Sequence, residues 1–310
     1  MHHELLLSLA TIPVFYTEQM VADAASYSPS ATKPRAVVAA WEALGLPITR
    51  MEPAPVSPAQ LALAHDADYV TQVLTCQAEN GFGNRLPAVA QSLPYTSGAM
   101  LAAAREALRN GRVAVAPCAG FHHAGYRHGG GFCTFNGLMV TAMNLLKEMQ
   151  LDRIGILDLD QHWGNGTQDI MEQFGVKQHI RHYHPTLDFR GSPDAAHFLA
   201  ALPGKVADFA DCDLVLYQAG ADPHIADPLG GWLSTTQLQQ RDRLVFEGLA
   251  ALRVPVAWNL AGGYQRDKNG SIRPVLEIHE NTLRECVRVY VNKNAADDPQ
   301  ANPVLALQAT

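Results

Sequence analysis

Two textures alternate through the middle of the chain: short runs of β-branched and apolar residues, and longer Ala- and Leu-rich segments. The first predicted helix starts near Pro34 and runs through RAVVAAWEAL to Gly45. Proline near a helix start and glycine just past its end are the usual punctuation. A second helix is predicted from Ser97 through GAMLAAAREALRN to Gly111, followed by a buried strand, RVAVAP, at Arg112–Pro117. The alternation continues with a helix at Gly137–Met149, a strand at Arg153–Asp160, a short helix at Thr167–Phe174 and a strand at Lys177–His184. Then come a helix at Ala195–Phe209, a strand at Asp213–Gly220, a helix at Thr235–Leu252, a strand at Val254–Leu260 and a last helix at Leu276–Val291.

Strands that alternate with helices imply an α/β protein with a parallel sheet covered on both faces. No linker or internal repeat interrupts the pattern, so residues 1–310 are read as a single domain with a loosely held tail over 296–310. Stretches containing proline and glycine at Glu52–Pro58 and Glu79–Pro94 are read as loops, the second long enough to be functional.

Four of the strands run into polar clusters: CAGFHHAGYRHGGGFCTFNG, DLDQHWGNGT, AGADPHIADPLGG and AGGYQRD. In a parallel α/β sheet, ligands bind in the crevice beyond the strand C-termini, so these distant segments should converge on one site. Asp158, Asp160 and His162 alternate, which in an extended chain turns them to one side. Such groups at the end of an apolar strand need a cation or mutual pairing. Carboxylates with an imidazole suit zinc or another divalent transition metal, Asp222 can add a ligand, and a position is left open for water. The adjacent His122 and His123 can take and return a proton beside such a metal, with Asp158 free to orient one of them. Tyr264, after two glycines at a strand end, can donate to a developing oxyanion.

In this order, HHA…GGGFCTFNG, DLDQHWGNGT, AGADPH…DPLGG and AGGY resemble the histone deacetylase and acetylpolyamine amidohydrolase family, over about Gly120 to Tyr264. The resemblance implies a three-layer α/β/α arginase-deacetylase fold and one catalytic zinc held by Asp160, His162 and Asp222. It implies His122 and His123 as the acid–base pair, with His123 the main proton carrier and Asp158 supporting His122. Asn165 stands beside the second histidine, and Tyr264 polarises the scissile carbonyl. Phe132 becomes one wall of the acyl tunnel, and Gly131 offers its carbonyl to the substrate amide. A structural potassium ion near Asp158 is also implied. The implied substrate is an acylated amine, either acyl-lysine in protein or an acetylpolyamine.

The chain departs from the family pattern at Phe121, where glycine is usual, and at Trp163, where a second histidine is common. No PGTG loop follows HIRHYHPTLDFRG, which leaves Phe189 as a candidate for the opposite tunnel wall and Asp66 or Asp68 for a rim carboxylate. A binuclear ureohydrolase is disfavoured, because Gly164 stands where its bridging segment needs a carboxylate. A non-catalytic binding protein is the other rival. His179, His182 and His184 are read as polar strand-end residues rather than a second metal site.

Composition sets outer bounds. The 310 residues are 47% hydrophobic, enough for a substantial core, and the formal charge of −7 has no basic block to favour nucleic acid. Five scattered cysteines form no C-x-x-C pair, which argues for reduced thiols and a cytoplasmic setting. No apolar run is long enough to cross a bilayer, and the N-terminus does not read as a signal peptide. Whether the chain forms a homo-oligomer is left open.

Overall fold

A computed structural model of the chain describes residues 9–189 and 194–292. Among these, seven strands form one sheet: β1 (Ile12–Phe15), β2 (Ile48–Met51), β3 (Val113–Val115), β4 (Ile154–Asp158), β5 (Ile180–Tyr183), β6 (Leu214–Gln218) and β7 (Val256–Asn259). Their order is β2-β1-β3-β7-β6-β4-β5, and every pair is parallel. The inner strands β3, β4, β6 and β7 are buried along their whole length, as a sheet covered on both faces requires.

The helices are α1 (Lys33–Ala43), α2 (Pro58–Leu61), α3 (Ala67–Leu74), α4 (Pro87–Asn110), α5 (Gly137–Glu148), α6 (Asn165–Phe174), α7 (Ala195–Ala207), α8 (Thr235–Leu252) and α9 (Arg273–Val287). By contact they fall into two groups, one in which α4 packs on α3 and α5, and one running from α7 through α8 and α9 to α1. The architecture is three-layer α/β/α. The main apolar cluster extends from Ile12 to Tyr290 and takes buried residues from six of the strands, with Ile48 of β2 packed against it. Its aromatic centre is Trp258 on β7, set 5.5 Å from Trp41 and 5.9 Å from Phe246 between ring centroids.

Where the sequence pattern was strong, the elements fall as expected. The differences have physical causes. The apolar run near the N-terminus becomes β1, because all four of its residues are buried between β2 and β3. The expected loop at Glu79–Pro94 is only partly a loop, since α4 begins at Pro87 rather than Ser97 and carries Pro94 inside it. Pro87 sits in the first turn, where its missing N–H costs nothing. The Pro94 carbonyl is used from outside the helix, accepting the Val56 N–H at 3.0 Å. The last helix starts at Arg273 with a proline in its first turn and passes after Val287 into a π-helical turn at Arg288–Asn292. The tail from 296 onward lies outside the described residues. Among the described residues, no helix is long and apolar enough to cross a membrane.

Register aligns the strand ends that carry the polar clusters. Asp158 pairs with Gln218, and Gln218 with Asn259. Gln218 Nε2 donates to Asp158 Oδ1 at 3.0 Å, and Asn259 Nδ2 to Gln218 Oε1 at 3.5 Å, so a fully buried polar row closes the apolar sheet.

The Trp258 cluster yields a stability prediction. Trp258→Ala should destabilise the fold by about 3–5 kcal/mol through lost burial and a cavity. A urea midpoint that moves by less than the equivalent of about 1 kcal/mol would show that this cluster is not the centre of the core.

Candidate active site

Beyond β4 the backbone turns instead of remaining extended. The Asp160 N–H donates to Asp158 Oδ1 at 3.2 Å, and the His162 N–H to Asp160 Oδ1 at 2.9 Å. Asp158, Asp160 and His162 still share one side of the chain, because the His122 ring faces both carboxylates and His162 Nδ1 faces Asp160. Asp158 turns to His122, whose Nδ1 lies 2.8 Å from Asp158 Oδ2. Asp160 and His162 join Asp222 from the end of β6, and one ligand atom from each lies within 4.8 Å of the others. His162 Nδ1 is 3.4 Å from Asp160 Oδ1 and 3.2 Å from Asp222 Oδ2, while its Nε2 is 3.2 Å from the Leu229 carbonyl. The backbone carbonyl takes the Nε2–H, so Nδ1 is the nitrogen turned to the two carboxylates and the one a metal would take in place of its proton.

The loop between β3 and α5 carries both histidines. The His122 carbonyl accepts the Thr167 N–H at 3.0 Å, which seats this loop on the first turn of α6. Asn136 caps α5 through Met139 N and donates its amide to the Ala124 carbonyl at 3.2 Å and to Thr167 Oγ1 at 3.0 Å. The two imidazoles lie 4.1 Å apart between ring centroids. His122 is buried, with its Nε2 3.6 Å from Asp160 Oδ1, and His123 is half-buried, with its Nδ1 2.6 Å from Asn165 Oδ1. Gly131 has a left-handed φ of 54°, and a Cβ there would come within 2.6 Å of the His123 ring, so glycine keeps the ring's place open.

Tyr264 lies on the loop after β7. The Gly262 N–H donates to Asp160 Oδ2 at 2.8 Å, and the Tyr264 N–H to Asp227 Oδ2 at 2.8 Å. A Cβ at Gly262 would fall 2.2 Å from Asp222 Oδ2, so only glycine passes between the two carboxylates and this loop. Beneath it lies Lys33, fully buried, donating from Nζ to the carbonyls of Ala261 at 2.6 Å and Gly262 at 3.0 Å. The Tyr264 ring is 5.5 Å from that of Phe132.

The electrostatics follow from burial of three carboxylates. Burial alone would keep His122 neutral, but Asp158 and Asp160 outweigh it and lift its pKa to about 9. His123 is shifted down by burial and by its charged neighbour His122. The hydrogen bonds to Asp160 and Asp222 raise His162 to about 11. Burial, reinforced by Asp160, pushes the Asp222 carboxyl up to about 7. The protein's own donors thus leave negative charge under-compensated at Asp222, and the donor set fits a divalent cation. Burial raises the Tyr264 hydroxyl far above the ordinary phenol range, so it remains a hydrogen-bond donor at neutral pH.

A family model for the histone deacetylase domain matches residues 30–184, half of the chain. The chain belongs to the histone deacetylase family. It is 34% identical over 234 residues to an uncharacterized protein of Picosynechococcus sp., covering 67% of this chain and 76% of that one. It is 26% identical over 185 residues to Histone deacetylase 2 of Arabidopsis thaliana, covering 54% of this chain and 47% of that one, so it spans about half of that relative's length. Its fold is similar to that of acetylpolyamine aminohydrolase from Burkholderia pseudomallei, with a TM-score of 0.69 at 19% identity, covering 90% of this chain and 99% of the other.

In this histone deacetylase family member the departures from the family pattern find local partners. The Trp163 ring packs against His182 at 5.3 Å and His184 at 5.5 Å. His182 Nε2 is 3.9 Å from Asp158 Oδ2, and His184 caps a short turn through Thr186 N. His179 instead lies apart from these two, beside the Asp152 carbonyl at 3.1 Å. Phe121 fits its position in a left-handed conformation, at φ 102°, with its ring against Gly137. Phe189 lines a cavity of about 320 Å³ that reaches Asp160, but its ring contacts run to His197, Phe198 and Trp232. Asp66 caps α3 and pairs with Arg127 at 2.8 Å, which commits its carboxylate to structure.

Sequence reasoning missed Lys33, Gln218 and Asp227. Gln218 carried a signal, a lone polar residue closing the apolar strand LVLYQ. Lys33 carried none, because a lysine at a helix start reads as exposed.

The loop bearing Gly131 and Phe132 is also pinned by buried His65, whose Nδ1 lies 2.9 Å from the Gly125 carbonyl and whose Nε2 accepts the Asn136 N–H at 2.9 Å. Burial holds its pKa down at about 4, against 6.5 unfolded. A depressed folded pKa gives a contribution that is complete above about pH 6.5 and is lost as pH falls through about 4. Thermal stability should therefore decline across this window, and His65→Gln should flatten that part of the slope. An unchanged slope in the variant would remove His65 as its source.

Proposed function

We propose that this chain is a zinc-dependent deacylase that hydrolyses the amide of an acylated amine to a carboxylate and a free amine. The observation that carries the reading is the convergence of Asp160, His162 and Asp222 beside two differently tuned histidines. Family membership supports it. Asp160, His162 and Asp222 would hold the zinc, whose chemistry when bound is to polarise the acyl carbonyl and lower the pKa of the attacking water.

The chain's own residues divide the remaining work. Asn165 Oδ1 accepts from His123 Nδ1, which leaves the Nε2 lone pair of this half-buried imidazole as the proton acceptor. His123, held below its ordinary pKa, is the base and then the acid that protonates the departing amine. His122, held charged by Asp158 and Asp160, stabilises negative charge on the reacting carbonyl. Tyr264 donates its hydroxyl to the same oxygen. Phe132 flanks the approach next to Tyr264. Gly131 offers its carbonyl to the substrate amide; in the free protein this oxygen lies 3.4 Å from the Cys133 thiol.

A single zinc is favoured over a two-metal ureohydrolase site, because Asp160, His162 and Asp222 are the one such cluster among the described residues. The potassium ion implied by the resemblance is not part of the proposal. The substrate class is an acylated amine: acyl-lysine in protein, or an acetylpolyamine, the substrate named for the Burkholderia pseudomallei neighbour.

A panel of acetyl-lysine peptides and acetylpolyamines, assayed for acetate with and without a zinc chelator, tests the reading. Chelator-sensitive release is expected, and Tyr264→Phe should lower kcat by about 10²–10³, the usual worth of one oxyanion donor. Release that survives chelation would refute the zinc-dependent mechanism, and a near-normal rate in Tyr264→Phe would remove that residue from it.

A further inference from the structure

Exposure of the aromatic side chains around the site rises in one direction. Tyr264 and Phe132 are half-buried and pack on each other at 5.5 Å. Phe132 also meets Phe82 at 5.9 Å and Tyr27 at 5.4 Å, with the Tyr27 and Phe132 planes at 89°. Tyr27 is 63% exposed, among the most open large side chains of the described residues. A single exposed tyrosine needs no explanation by itself. This one stands on a fastened loop. Its carbonyl accepts from Arg266 Nη2 at 3.0 Å, two residues beyond Tyr264, and the neighbouring Ala24 carbonyl accepts from Asn84 Nδ2 at 2.8 Å. Ser28 Oγ donates to Ser30 Oγ at 2.9 Å on the same loop. An exposed ring on a fastened loop, packed on Phe132 beside the reacting centre, has less freedom to lose on binding than one on a free segment.

We infer that Tyr27 is a specificity-determining residue, forming the outer end of an aromatic wall that grips the methylene chain on the amine side of the substrate. The inference rests on the deacylase reading for the identity of that substrate. Tyr27 precedes residue 30, where the match to the family model begins, so the wall is completed from outside the matched segment. Aromatic rings give a polymethylene chain large apolar contact with little side-chain entropy to lose. The selected class is an N-acyl amine on a straight alkyl chain, such as a lysine side chain or a polyamine, over an acylated short or branched amine.

The test compares the wild-type metal-loaded protein with Tyr27→Ala and Tyr27→Phe. For acetylated straight-chain amines, Tyr27→Ala should raise KM about tenfold, with the loss falling on KM rather than kcat, and the preference over acetylated short amines should fall by the same factor. Tyr27→Phe should keep the preference, because the ring and not the hydroxyl makes the contact. A loss of kcat alike for long and short amines would mark a merely structural role and overturn the proposal. A second readout does not depend on turnover: calorimetric binding of a phenyl-capped hexyl hydroxamate against acetohydroxamate. The gain in affinity from the chain should shrink about tenfold in Tyr27→Ala. Equal gains in wild type and variant, including gains of zero, overturn the assignment of Tyr27. Absence of acetate release by the wild type overturns the deacylase reading instead.

Discussion

Asp158, Asp160 and Asp222 are taken out of water at the ends of two adjacent strands, and an ionised carboxylate in such a place costs several kcal/mol unless it is compensated. Much of the molecule can be understood as that compensation. Gln218 and His122 serve Asp158, the Gly262 and His162 amides serve Asp160, and Lys33 closes the cluster from behind while holding the loop that leads to Tyr264. The compensation is uneven. Asp158 is held well below the ordinary carboxylate range by His122 against its burial, whereas burial drives Asp222 the other way. Asp158 is thus spent on tuning a histidine, while Asp222, set beside Asp160 and His162, is the carboxylate left to invite a cation.

The parallel sheet is what brings these groups together. Because β4 and β6 are neighbours with Asp158 opposite Gln218, segments far apart in the chain leave the sheet side by side, and the next loops place Asp160 and Asp222 in reach of His162. The histidine loop is fastened separately, through Asn136, Thr167 and His65, so its position depends on α5 and α6 rather than on the sheet alone.

This division explains what could be read in advance. Strand-end clusters such as DLDQHWGNGT carry their chemistry in residue types that an apolar strand does not otherwise tolerate, so His122, His123, Asp160, His162, Asp222 and Tyr264 stood out in the sequence; the first five meet in the structure, and Gly262 ties the loop of Tyr264 to Asp160. The alternation of Asp158, Asp160 and His162 pointed to a shared side, and the three do face one another, although side-chain to backbone hydrogen bonds and not an extended backbone hold the segment. The helix α4 was read short because Pro94 signals a break, and tertiary packing of Val89 and Ala90 overrides it. Lys33 and Tyr27 lie before the recognisable motifs, and their partners are set by the fold and not by spacing.

The central claim is that Asp160, His162 and Asp222 form one zinc site. Elemental analysis of the purified protein, beside Asp222→Asn and His162→Ala variants that remain folded, tests it most directly. The account predicts one equivalent of zinc in the wild type and far less than one in each variant. A full equivalent retained by either variant would contradict it.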